Sequence, residues 1–156
     1  MNIRTRKTSL SFLVGTALTL AGTSFVPGAS VAIDNPGFES GFDGWADTDP
    51  SAVSGNAYAG SSSAKISGAN GKVEQYVDVT PNTDYTLQAY VKGIGKVGAD
   101  VNGTRFNRTG GGSDLEPVSV SFNSGSATSV KIYANYYGGE GRFANFTLES
   151  SGTTTP

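Results

Sequence analysis

Along residues 30–149, apolar and polar residues alternate in short runs, and no stretch of helical length carries an apolar stripe at 3.6-residue spacing. The runs are SVAID, SSAKISG, GKVEQYVDV, DYTLQAYVKG, GKVGADVNG, PVSVSF, SVKIYANYY and RFANFTLE, each bounded by Gly, Asn, Asp, Ser or Pro. Successive side chains of a strand point to opposite faces, so one apolar set and one polar set predict a strand buried on a single side. Many such strands, with 22 glycines to serve their turns, predict an all-β fold, an antiparallel β-sandwich of the jelly-roll kind.

The alternation also sorts the faces. Tyr85, Leu87, Ala89 and Val91 form an inward set and leave Gln88, Tyr90 and Lys92 outside. Val97, Ala99 and Val101 go in; Lys96, Asp100 and Asn102 go out. Val118, Val120 and Phe122 go in, with the small Ser119 and Ser121 outside. Val130, Ile132 and Ala134 go in; Lys131, Tyr133, Asn135 and Tyr137 go out. Arg105 and Arg142 are expected on adjoining turns. A polar outer face is ordinary in an antiparallel sheet, but a row of phenols beside planar amides suits a sugar chain. A flat ring covers the C–H patches of a pyranose, and Asn or Gln both donates to and accepts from its hydroxyls. The candidate carbohydrate-binding set is therefore these twelve: Gln88, Tyr90, Lys92, Lys96, Asp100, Asn102, Arg105, Lys131, Tyr133, Asn135, Tyr137 and Arg142.

The two ends read differently. Arg4, Arg6 and Lys7 precede an apolar run from Leu10 to Ala21 and a small-x-small stretch, Ser30-Val31-Ala32. That run is short for a bilayer span, so residues 1–32 are expected to be a Sec-type signal peptide cut after Ala32 rather than an anchor, and the protein to be secreted. The module then spans 33–149. Residues 150–156, SSGTTTP, read as a linker to a further module. Without its leader the chain has eight basic and 13 acidic residues, a net charge of −5, which argues against a nucleic-acid partner. There is no cysteine to staple the fold, and no histidine to act as base or zinc ligand.

DNPGFESGFDGW, Asp34 to Trp45, resembles the opening of exported carbohydrate-binding modules of the jelly-roll families 4, 9, 16 and 22, nearest to family 16. AYAGSSSAKISG, VEQYVDVTPNTDYTLQAYVKG and GRFANFTLE follow in the order of that group. The resemblance implies a non-catalytic monomeric module that holds an attached polysaccharide-degrading enzyme on its polymer. It places ligand contacts at Gln88 and Tyr90 on a central strand and at Tyr133 and Tyr137 on a late one, and it implies packing for Trp45. It also implies a structural Ca2+ ligated by Glu39 and a carboxylate pair in the closing strand. That pair here reads Ala144-Asn145, so Asn145 stands alone, and Glu39 is equally a turn acid.

Two rivals stay open. A structural or adhesive sandwich would bury the tyrosines against a neighbour. A small polysaccharide lyase would use Tyr133, Tyr137, Arg105 and Arg142, but neither histidine nor a recognisable acid pair supports catalysis. Lys92, Lys96, Lys131, Arg105 and Arg142 are five of the eight basic residues outside the leader, which points to an anionic uronan such as alginate.

Overall fold

The computed structural model describes residues 24–26 and 28–155, which form ten strands and no helix. In chain order they are β1 (Ser24–Val26), β2 (Ala46–Thr48), β3 (Ser51–Ser54), β4 (Ser63–Ile66), β5 (Lys72–Asp78), β6 (Asp84–Val101), β7 (Thr104–Gly110), β8 (Glu116–Asn123), β9 (Ser129–Ser150) and β10 (Thr153–Thr155). All strand pairs are antiparallel.

β6 and β9 are long enough to run through both layers of the sandwich. Residues 84–92 of β6 lie between β8 and residues 141–150 of β9, which in turn pair with β4, and β4 with β3. Residues 95–101 of β6 lie between β7 and residues 131–136 of β9, which pair with β5, and β5 with β2. Each long strand passes from one layer to the other at glycines. Gly93 has φ +80 and its pairing with β9 shifts register before Gly95. A Cβ at Gly93 would strike the Glu140 carbonyl, and one at Gly95 the Phe143 ring. Only a residue without a side chain allows the two strands to cross so closely.

The alternation predicted for the inward sets holds. Leu87, Ala89, Val91, Val97, Ala99, Ile132, Ala134, Phe143 and Leu148 are fully buried between the layers, with Ile66 and Val73. Trp45 packs at the sandwich edge, its ring 5.1 Å from Phe38 and 4.9 Å from Phe146. Its Nε1–H donates to the carbonyls of Asp34 (3.0 Å) and Asn35 (3.2 Å), so the indole is buried without an orphaned donor. Pro117 sits in β8, an edge strand whose pairing is with β6 alone, where a missing N–H is tolerated.

Two elements depart from the sequence reading. Residues 104–110, which belong to none of the alternating runs, form β7. β7 is joined to β6 by a two-residue turn, Asn102 (φ 50) and Gly103 (φ 88), whose left-handed pair matches the twist of a hairpin. Asn102 is therefore a turn residue rather than a strand position. At the N-terminal side, Val31 N–H donates to Leu148 O and Ser150 N–H to Ala29 O, and Val31 packs against the core. The expected cut after Ala32 falls inside this stitched segment. The apolar run of the leader lies outside the described residues. β1 and β10, within the expected leader and linker, pair with each other.

Candidate functional site

The outward residues of β5, β6, β7 and β9 in the second layer share one face. Strand register brings Glu74 opposite Tyr133, Tyr76 opposite Lys131 and Lys72 opposite Asn135 across β5 and β9. On the other flank it sets Asp100 opposite Lys131 and Lys96 opposite Asn135. A cavity of about 80 Å³ opens at its centre, lined by Lys72, Glu74 and Asp100 with Lys131, Tyr133 and Asn135, and closed on the β7 side by Arg105.

This face unites Lys96, Asp100, Arg105, Lys131, Tyr133, Asn135 and Tyr137 of the expected set. It does not hold Gln88, Tyr90, Lys92 and Arg142. Those project from residues 84–92 of β6 and from residue 142 of β9, on the outer surface of the other layer, because both strands change layers between the two groups. The row expected from alternation is thus two rows on opposite sides of the molecule. Asn102 lies at the rim, in the turn beside Asp100, whose Oδ1 accepts the Gly103 N–H at 2.8 Å.

The tyrosines differ in kind. Tyr137 is 47% exposed, whereas Tyr133 is 7% exposed although it points outward. The reason is Gly98 on the neighbouring strand: a Cβ there would come within 2.5 Å of the Tyr133 ring carbon and hydroxyl. The bare backbone lets the phenol lie flat in the floor of the site. Burial raises the Tyr133 hydroxyl pKa above its ordinary value, partly offset by a hydrogen bond with Asn107 and the nearby Arg105 charge. The most exposed phenol on this face is Tyr76, at 71%. Tyr76 is not in the expected set, yet GKVEQYVDV carries the same alternating signal, with Val73, Gln75 and Val77 inward and Lys72, Glu74 and Tyr76 outward.

The charges on the face are largely engaged with one another. Lys72 and Lys131 share the Glu74 carboxylate at 3.2 and 3.4 Å, and Arg105 lies 3.4 Å from Asp100. The Lys131 ammonium stands 5.9 Å over the Tyr76 ring, and that of Lys96 stands 5.1 Å over Tyr137. A cation over an aromatic face is attracted by the ring quadrupole, which orients both partners. One group is left over: Asn135 Oδ1 is buried without a hydrogen-bond partner.

On the opposite layer, Tyr90 stacks on Tyr58 with ring centroids 3.3 Å apart and planes 11° from parallel. A hydrogen bond with Tyr58 raises the Tyr90 pKa, and burial adds to it. Gln88 Oε1 accepts from Ser119 Oγ at 3.1 Å. Arg142 pairs with Glu140 at 2.6 Å and donates to Ser54 Oγ at 3.2 Å. Gln88 and Arg142 are thus engaged with protein partners, while Tyr58 of the stacked pair is 52% exposed.

Glu39 holds a loop. Its Oε1 accepts the N–H of Ser61 (2.8 Å) and of Ser62 (2.9 Å), and its Oε2 accepts Ser61 Oγ (2.7 Å). The Ser61 hydroxyl, then the two backbone donors, hold its pKa below the ordinary glutamate value. Asn145 sits at φ 51 and its Oδ1 accepts Ala59 N–H at 3.3 Å. Calcium needs six to eight oxygens, with carboxylates prominent among them. Here the Glu39 oxygens already serve protein donors, and no group of three acidic, histidine or cysteine side chains occurs among the described residues. A calcium ion there would have to draw on backbone carbonyls besides Glu39 and Asn145.

A two-layered β-sandwich with an aromatic, amide-bearing face defines a carbohydrate-binding module. The chain belongs to the carbohydrate binding domain family CBM_4_9, which matches residues 30–136, and such domains are non-catalytic. It is 35% identical over 146 residues to exochitinase 1 of Streptomyces olivaceoviridis; the match covers 86% of this chain and 24% of that enzyme. Its fold is similar to the CBM22-1 xylan-binding domain of Paenibacillus barcinonensis Xyn10C, with TM-score 0.61, 17% identity, and 81% and 97% of the two chains covered. It is also similar to a family 16 carbohydrate-binding module, with TM-score 0.52, 24% identity, and 79% and 96% covered.

Proposed function

We propose that the face formed by β5, β6, β7 and β9 binds an extended, uncharged β-linked polysaccharide, of which chitin is the first candidate, and keeps an attached glycan-active enzyme on it. The observation that carries this reading is the pair of exposed rings, Tyr76 and Tyr137, flanking a polar floor of Tyr133 and Asn135. Rigid phenols stack on sugar at small entropic cost, while amides and ion-paired tips bond hydroxyls. The 35% identical exochitinase, about four times the length covered here, supports chitin and supports a catalytic module elsewhere in the same chain. The basic leader with its apolar run supports export.

The pairing of Lys72, Lys131 and Arg105 with carboxylates weighs against a uronan, since those cations are already compensated. A second reading keeps alginate in view, because the face carries Lys72, Lys96, Lys131 and Arg105 against Glu74, Asp100 and, at the end of β5, Asp78. Depletion assays on insoluble chitin, cellulose and calcium alginate gel, at low and high salt, separate the two. Retention on chitin that does not change with salt is the expected result. Retention on alginate alone, weakening as salt rises, would establish the uronan reading instead.

A further inference from the structure

We infer that the central cavity recognises the acetamido group of an N-acetylated sugar, with Asn135 as the specificity-determining residue. This rests on the reading of the face as a polysaccharide site and names the substituent it selects. Asn135 occupies the middle of the face: Lys72 and Lys96 are its register partners on the two neighbouring strands, and Tyr133 and Tyr137 are its neighbours two residues away on its own. Its Oδ1 is buried and has no partner. Asn135 lines the cavity, and a turn of its side-chain amide brings the unpartnered oxygen to a donor that arrives with the ligand.

The size of the cavity narrows the donor. About 80 Å³ is several times what one water requires, and well below the roughly 300 Å³ at which pockets for whole small molecules begin. It suits a side group of a few heavy atoms rather than a lone hydroxyl or an entire pyranose. Strand neighbours on one face are about 6.7 Å apart, so a ring stacked on Tyr137 lays its edge substituent over Asn135.

The chemistry narrows it further. Lys72, Lys131 and Arg105 border the cavity together with Glu74 and Asp100, which already pair with them, so a free sugar ammonium finds no unpaired carboxylate there. An acetamido group is neutral. Its N–H serves Asn135 Oδ1, its carbonyl accepts from the bordering ammonium groups, and its methyl lies against the flat Tyr133 ring. Whichever end of the Asn135 amide faces inward, this group supplies the complement, because it carries one donor and one acceptor.

Titration calorimetry with chitohexaose and cellohexaose, which differ only at C2, tests the inference directly. The protein should bind chitohexaose about tenfold more tightly, the range expected when a buried polar group is paired by one ligand and stranded by the other. Asn135→Ala should reduce that preference to about twofold by weakening chitohexaose more than cellohexaose. A thermal melt matching that of the parent protein would show that the variant is folded. Equal affinities in the parent protein, a preference for cellohexaose, or an equal loss of both ligands in Asn135→Ala would overturn the acetamido assignment and leave the face reading standing. Binding of neither hexamer would overturn both.

Discussion

Tyr133 and Tyr137 stand four residues apart on the same side of β9, yet the first lies in the floor and the second in solvent. Alternation reports the direction of a side chain, not what lies beside it, and Gly98 on β6 decides the difference. Substitutions should separate the two roles. Tyr76→Ala and Tyr137→Ala should each weaken polysaccharide binding several-fold, about 1 kcal/mol or more for a lost stacking ring, with little change in melting temperature. Tyr133→Ala should weaken binding and also cost about 2–4 kcal/mol of stability, because it removes a buried aromatic. Gly98→Ala should also lower both binding and stability, since the added methyl would meet the Tyr133 ring and the Phe106 carbonyl of β7. Binding isotherms alongside thermal melts of the four variants check the set.

The strands were legible where one face is apolar. The inward residues of β5, β6, β8 and β9 follow from period-2 alternation alone, and all are found in the core. β2, β3 and β7 were not, because these edge strands bury little on either face and leave no alternating signature. The division of the candidate site was also hidden. DYTLQAYVKG and GKVGADVNG read as two strands sharing one polar face, but they are one strand that changes layers at Gly93, carrying Gln88 and Tyr90 away from Asp100 and Tyr133. A glycine between two alternating runs is the one sequence mark of such a crossing, and it looks like any turn. The Tyr58–Tyr90 stack was invisible for a related reason: a loop residue meets a strand residue across a distance that no local pattern encodes.

A protein beginning at Ile33 should be less stable than one beginning at Gly28 by about 1–2 kcal/mol. It lacks the Val31–Leu148 and Ala29–Ser150 backbone hydrogen bonds and the packed Val31 side chain. Comparing their denaturant midpoints decides it; identical midpoints would show that the segment contributes nothing. The loop around Ser61 should be held by Glu39 without a metal, so excess chelator should leave the thermal melt unchanged, and a fall in melting temperature would restore calcium to the account. The clamp should also respond to acid. The folded pKa of Glu39 is depressed, so its contribution is present above the ordinary value of 4.5 and is lost as pH falls through the lower folded value. The protection of the Ser61 and Ser62 amides, relative to their intrinsic exchange rates, should fall there, and should be lost at every pH in Glu39→Ala.

At the scale of the whole molecule, the sandwich presents two polar sides of different character. One carries exposed rings, a cavity and an unsatisfied amide; the other carries a stacked tyrosine pair and side chains already bonded to each other. The central claim is that the first side is the ligand face. The most direct measurement is chitin depletion by two double variants at equal protein concentration, Tyr76→Ala/Tyr137→Ala on the first side and Tyr58→Ala/Gln88→Ala on the second, each shown to be folded by its melt. The account predicts that the first pair loses most of its retention and the second keeps it. Loss confined to the second pair would place the ligand face on the opposite layer and contradict the account.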